Sequence, residues 1–352
     1  MTLDTSRPAL VTGATGYVAG WLIKELLEAG VTVHACVRNP DNTAKQQHLI
    51  DAAAAAPGEI KFFKADLLDE GSFDAAMAGC GVVFHTASPF TVAVDDAQRD
   101  LVDPAVKGTR NVLNAANRTE SVSRVVVTSS CAAIYGDNAD VAEAPGGRLD
   151  ESVWNTSSTL EHNAYSFSKT EAEKAAWEIA GGQDRWDLVC VNPALVVGPA
   201  LQDRPTSESF NLVRQMGDGT MKSGAPKWYF GIVDVRDLAK AHVAAGYKAE
   251  ANGRNIVFGH ESSIFDLSQL LRAKYGADYP LPKSAAPKWL VWLLGPIMDK
   301  SMTRKLISRN IGVEWKADNS KGKRELGVTY RPLKDSMEDM FQQMIDAGQF
   351  AK

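Results

Sequence analysis

Short runs of branched apolar residues alternate with longer stretches of helical periodicity through the first half of the chain. The runs ALVTG (9–13), VTVHACV (31–37), IKFFK (60–64), VVFHT (82–86), RVVVTSS (124–130) and DLVCVNP (187–193) read as strands. Their near-continuous apolar character predicts burial on both faces, the mark of a parallel sheet covered by helices. Helical spacing lies between them, at 16–29, 41–55, 70–78, 96–117 and 164–180, so the order is that of repeated βαβ units.

After NPALVVGP (192–199) the rhythm gives way to turn-rich sequence such as GPALQDRPTSES. GIVDVRDLAKAHVAAG and GRNIVFG then read as one more helix and strand returning to the first layer. The expected division is a nucleotide-binding unit over 1–198, completed by about 231–259, and a smaller substrate-binding region from 199–230 and 260–352.

PKWLVWLLGPIM (287–298) departs from both patterns, with Lys283 and Lys288 on one side and Lys300, Arg304 and Lys305 on the other. Its apolar run falls short of the ~20 residues that span a bilayer. It reads as core packing, a pocket wall or a dimer contact in preference to an interfacial membrane helix.

Composition narrows the classes. The chain has 352 residues, 45% hydrophobic and 23% charged, as expected of a globular protein. A net charge of −5 with no Lys/Arg block excludes a general polyanion footprint, so no nucleic-acid partner is expected. Cys36, Cys80, Cys131 and Cys190 are irregularly spaced, without CxxC or zinc-ligand intervals, and read as reduced buried thiols with no metal. The polar start MTLDTSRPAL has no signal-peptide pattern, and a cytoplasmic monomer or homodimer is expected.

The chemistry begins at LVTGATGYVAGWL. Gly13, Gly16 and Ala19 form a GxxGxxA turn between the first strand and a helix, where free N–H groups and the helix dipole favour a pyrophosphate. Thr15, Tyr17 and Val18 belong to the same candidate cofactor site. A carboxylate at the end of the second strand would favour NAD. Here that strand ends in Val37 and Arg38, with Lys45 following, which points to the 2′-phosphate of NADP(H). Asp66, followed by Leu67, ends the third strand, where it could accept from an adenine amino group or cap a helix. Thr86, Ala87 and Ser88 end the fourth strand and are small enough for a nicotinamide ribose to pass.

The fifth strand ends in Ser129 and Ser130, on the edge that carries the glycine turn, and AYSFSK places Tyr165 and Lys169 one helical turn apart. A tyrosine ordinarily ionises near pH ~10, so a fixed cation beside it is needed if it is to exchange protons at neutral pH. The set can reduce a carbonyl: Tyr165 as proton donor, Ser130 binding the carbonyl oxygen, and Lys169 stabilising the phenolate and holding the ribose.

The ordered motifs VTGATGYVAGWL, VHACVRNP, KADLLDEGSFDAAMAGCGVVFHTASP, VVVTSSCAAIYG, YSFSKTEAEKAAW, NPALVVGP and VDVRDLAKAH resemble the extended short-chain dehydrogenases/reductases, most nearly the dihydroflavonol-4-reductase-like branch and its microbial aldehyde/ketone reductases. The resemblance implies an α/β fold, a Rossmann-type doubly wound parallel sheet with a smaller mixed α/β substrate domain near the C-terminus. It also implies an NADPH-dependent carbonyl reductase acting on a small-molecule aldehyde or ketone. Ser130, Tyr165 and Lys169 match the family's catalytic set, Arg38 and Lys45 its 2′-phosphate cations, and Pro193 and Val196 its nicotinamide side. Plant hydroxycinnamoyl-CoA reductases carry Asn-Trp before this tyrosine and Cys-Tyr after it. Here Asn163 and Ala164 precede it and Ser166 and Phe167 follow, which argues against a CoA thioester. Phe90, Cys131, Leu201, Trp228 and Tyr229 are pocket candidates.

Alternatives in the same fold are a hydroxysteroid dehydrogenase and a sugar-nucleotide epimerase or dehydratase. The Cys131-Ala132-Ala133 run lacks a dehydratase's carboxylate, and the Val37-Arg38 strand end disfavours an epimerase's NAD. A protein that senses NADPH without turnover is the non-enzymatic alternative.

Overall fold

The alternating pattern folds as its periodicities dictate. In the computed structural model, which describes Asp4 and residues 6–88 and 94–350, the first elements in chain order are β1 (Ala9–Val11), α1 (Tyr17–Glu28), β2 (Val33–Val37), α2 (Thr43–Ala54), β3 (Ile60–Lys64), α3 (Asp74–Met77) and β4 (Val82–His85). Then come α4 (Asp103–Arg118), β5 (Arg124–Thr128), α5 (Ala164–Gly181), β6 (Asp187–Pro193), β7 (Leu195–Val197), α6 (Glu208–Gly217), β8 (Ala225–Pro226), β9 (Tyr229–Asp234), α7 (Val235–Tyr247) and β10 (Gly253–Val257). The chain continues with β11 (His260–Ser263), α8 (Ile264–Tyr275), β12 (Ala285–Ala286), α9 (Lys288–Met298), α10 (Arg304–Asn310), α11 (Ser320–Leu326) and α12 (Leu333–Asp346).

Seven strands form one parallel sheet in the order β10-β6-β5-β4-β1-β2-β3. Its two faces are both dry. Ala9 and Val11 of β1, Val82 and Phe84 of β4, and Val189 and Val191 of β6 face α1, α2 and α7. Leu10, Val83, Leu188 and Cys190 face the opposite layer, with side chains of α3 and α4 and the C-terminal half of α5. This period of two, apolar on both sides, is what a strand sandwiched between helices requires. Strand order reverses between β1 and β4, so the crevice for a ligand opens at their carboxyl ends.

Element ends differ from the sequence expectation for identifiable reasons. The first strand stops at Val11 because Gly13 adopts φ +63°, a left-handed turn that glycine tolerates. IKFFK lies at the sheet edge and is half exposed instead of buried. The helix expected over 70–78 shrinks to Asp74–Met77, between the positive-φ glycines Gly71 and Gly79. GIVD is strand, not helix: it ends β9, and Asp234 caps α7 by accepting from the Arg236 N–H at 2.8 Å. After α7, β10 pairs in parallel with β6.

A second, three-stranded sheet, β11-β9-β7, packs with α6, α8 and α12 around Phe210, Ile232, Leu267, Met340 and Phe341. Of the alternatives for 287–298, core packing is not what the fold shows: no residue of α9 is buried.

All four thiols are buried, and desolvation pushes each above the ordinary thiol range, Cys80 to about 12. The native chain is therefore expected to give no reaction with Ellman's reagent at about pH 8 and four equivalents after denaturation. Rapid labelling of the native protein would contradict this packing.

Candidate active site

Strand-end chemistry at the switch point draws β1 and β4 together. Thr12 Oγ accepts the Ala87 N–H at 3.0 Å, and the Thr86 hydroxyl donates to the Thr12 carbonyl. Thr12 Oγ also lies 3.0 Å from Nδ1 of buried His85, which burial drives down to about 3 with help from the Lys169 charge, so this imidazole is neutral. A Cβ at Gly13 would sit 3.0 Å from Ala87, which is why the turn needs glycine there.

Gly13 and Gly16 are exposed at the crest, and no side chain caps the first turn of α1. Its free N–H groups are thus left for an anion. Tyr17 turns the other way: its buried hydroxyl donates to the Gly198 carbonyl at 2.6 Å, leaving only its backbone for a phosphate. Thr15 and Val18 are half-buried, with the Thr15 carbonyl accepting from Gln202. Arg38, just beyond β2, and Lys45, in the first turn of α2, are both exposed, and neither forms an ion pair among the described residues. Asp66 Oδ1 accepts the Leu68 N–H at 2.9 Å, closing a local turn, and Leu67 packs under Gly108 of α4. These features fit a dinucleotide: an uncapped glycine-lined helix start, with unpaired cations at the neighbouring strand end.

At the other end of the crevice, Lys169 Nζ donates to Ser88 Oγ at 2.8 Å and lies 5.7 Å from the Tyr165 ring centroid. Tyr165 is 53% exposed, available to a ligand. Ser130 Oγ accepts the Ala132 N–H at 3.1 Å, capping a 3-10 turn (131–133) that packs on α5 and leaving its own proton free to donate. Tyr165 is placed by its helix start. Asn163 holds φ 57°, the one left-handed non-glycine among the described residues, while its amide donates to Gly136 O at 2.7 Å.

Beneath these groups lies an ionic centre that sequence reasoning missed. Glu173, one turn beyond Lys169, is buried and accepts from Ser129 Oγ, from Asn192 at 2.8 Å, from Trp177 at 3.2 Å and from Arg254 Nε at 2.6 Å. Arg254 donates further to the carbonyls of Ala133, Glu151 and Val153 and stacks on Trp154 at 3.9 Å. The available signal was the run Tyr165, Lys169, Glu173 at four-residue intervals, which lies on one helix face. A cavity of about 20 Å³, lined among others by His85, Ser88, Thr109, Ser129, Lys169 and Glu173, adjoins the lysine.

A model of the NAD dependent epimerase/dehydratase family matches residues 9–259. The chain belongs to that family. Within it, the chain is an extended short-chain dehydrogenase/reductase. It is 40% identical over 282 residues to cinnamoyl-CoA reductase CAD2 of Medicago truncatula, covering 78% of this chain and 83% of the relative. It is 37% identical to an anthocyanidin reductase of Vitis vinifera, with coverage of 78% and 83%. Among solved structures it resembles yeast methylglyoxal/isovaleraldehyde reductase Gre2 complexed with NADPH, at TM-score 0.78 and 28% identity over 98% of this chain and 100% of that one.

Pro193 is buried at the end of β6, and half-buried Val196 sits in β7 opposite Val233. Cys131 is buried with its thiol on the Asn192 carbonyl, and Leu201 packs beside Gly20 of α1. Trp228 stacks on Phe230 at 5.5 Å, and Tyr229 packs beside the buried cluster of Phe258 and Trp315. Phe90 lies outside the described residues. No metal-holding group of His, Cys, Asp or Glu occurs among the described residues.

Arg254→Met would strand the Glu173 carboxylate and is expected to cost about 3–5 kcal/mol in urea-induced unfolding. A loss below about 1 kcal/mol would mean that the pair does not organise the site.

Proposed function

We propose that the chain is an NADPH-dependent carbonyl reductase in which Tyr165 protonates the substrate oxygen, Ser130 binds it and Lys169 serves both tyrosine and ribose. The observation that carries this reading is the position of the Lys169 ammonium, 5.7 Å from the Tyr165 ring and 2.8 Å from Ser88, at the same sheet edge as the glycine turn.

NADPH, when bound, supplies hydride to the carbonyl carbon. The uncapped start of α1 would receive its pyrophosphate, and Arg38 and Lys45 its 2′-phosphate. At the substrate, the Ser130 hydroxyl donates to the carbonyl oxygen as negative charge grows there, and Tyr165 delivers the proton that completes the alcohol. Lys169 favours the resulting phenolate by charge proximity. The cinnamoyl-CoA and anthocyanidin reductases are similar at nearly equal identity, so identity does not select a substrate. Ala164, Ser166 and Phe167 around the tyrosine support an aldehyde or ketone over a CoA thioester.

Tyr165→Phe is expected to lower carbonyl-dependent NADPH oxidation by about 10²–10⁴-fold while NADPH binding by calorimetry is retained. A wild-type chain that binds NADPH but reduces none of a panel of aromatic aldehydes, diketones, ketoesters, dihydroflavonols and ketosteroids would refute turnover and favour a sensor.

Arg38→Ala is expected to weaken NADPH binding roughly tenfold or more, with NADH binding nearly unchanged. Equal losses for the two cofactors would remove Arg38 from the 2′-phosphate site.

A further inference from the structure

The helix α9 presents an apolar face that nothing in the fold covers. Trp289, Leu293 and Ile297, at successive four-residue intervals, are 68%, 47% and 79% exposed, and Met298, which ends the helix, is 79% exposed. The rest of the helix is covered only in part, with Trp292 and Leu294 still 39% and 40% exposed. Gly295 abuts Ile307 of α10, Lys288 Nζ donates to the Ser308 carbonyl at 2.8 Å, and Arg304 lies over the Trp292 ring at 4.5 Å. The exposed face therefore has a fixed orientation on a two-helix hairpin.

That hairpin is fastened to the body by buried polar groups. Arg309 reaches Asp137 at 2.5 Å and Asp140 at 2.7 Å, and Asn310 donates to Asp137 at 2.7 Å. Exposed apolar side chains on a mobile tail would be unremarkable, but on a pinned helix they form a surface.

Charge decides what that surface fits. Between residues 283 and 305 the chain carries five cations, Lys283, Lys288, Lys300, Arg304 and Lys305, against the single carboxylate of Asp299, although its net charge is −5. All five cations are exposed, and Asp299 is occupied in capping Ser301. A two-fold contact between two copies would set this basic rim against itself. We propose that α9 lies on the surface of an anionic lipid bilayer, with Trp289, Leu293, Ile297 and Met298 entering the headgroup boundary and Lys283, Lys300 and Lys305, which are not engaged with the hairpin, meeting lipid phosphates. An apolar helix face with tryptophans and a basic rim is the pattern of an interfacial helix. At 11 residues, α9 is about 16 Å long and cannot cross a hydrocarbon core of about 30 Å. No helix among the described residues is long and apolar enough to do so.

The test is co-sedimentation of the full chain with sucrose-loaded vesicles of phosphatidylcholine alone or mixed with phosphatidylglycerol, read by protein in the pellet and independent of turnover. Expected are binding to the mixed vesicles that falls as salt rises, little binding to phosphatidylcholine, and loss of the pellet fraction in Trp289→Ser/Ile297→Asp with an unchanged thermal midpoint. Lys300→Glu/Lys305→Glu should weaken binding roughly tenfold or more without altering the apolar face. Protein remaining in the supernatant with both vesicle types overturns the proposal. So does concentration-dependent dimerisation in sedimentation velocity that Ile297→Asp abolishes while vesicle binding is absent, since the occupant would then be a second copy.

Discussion

A carboxylate withdrawn from water must be fully paired, and Glu173 is the point at which this constraint acts on the whole site. Removing such a charge from solvent costs several kcal/mol unless hydrogen bonds and an opposite charge replace the lost hydration. Its partners come from four elements: Ser129 after β5, Asn192 in β6, Arg254 in β10 and Trp177 in α5 itself. Rotating α5, or sliding it by one residue, would break several of these bonds together. Lys169 and Tyr165 lie one and two turns N-terminal on the same helix face, so their positions follow from where Glu173 is held.

The other end of that helix is fixed independently. The left-handed turn at Asn163 and its bond to Gly136 set where α5 begins, and His162 pairs with the buried Asp137 at 2.8 Å. Arg309 and Asn310 of α10 meet the same aspartate. The proton-transfer side chains thus sit between two polar anchors, and the second also carries the exposed hairpin. A surface event at α9 and the geometry at Tyr165 share Asp137 as a common support.

The central sheet was legible because burial on both faces leaves short apolar runs, which here alternate regularly with helical stretches. Strand and helix ends were less legible, since they depend on single backbone features such as φ +63° at Gly13 and the Asp234 cap. Glu173 was hidden for another reason. In TEAEKAAWE it looks like one more charge on a solvated helix face, and its principal partner, Arg254, is 81 residues away. The apolar run at 287–298 misled as to core. Hydropathy reports that a segment favours leaving water, whereas burial depends on whether other elements arrive to cover it, and at α9 only α10 does, on one side.

The two anchors of α5 also differ in what else they hold. The side chains that the proposed reading assigns to proton transfer rest on β5 and α5 and are tied down through Glu173 and Arg254. Trp228 and Tyr229 belong instead to the segment leading into β9, held by the bond from Asn138 to the Tyr229 carbonyl and by that from Gly312 to the Lys227 carbonyl. Those supports come from the polypeptide after α10 and from the turn beside it, not from the ionic centre under α5. The Trp228–Tyr229 segment is therefore held, through Asn138 and Asn310, by the same network around Asp137 that sets the start of α5, and not by the Glu173 centre.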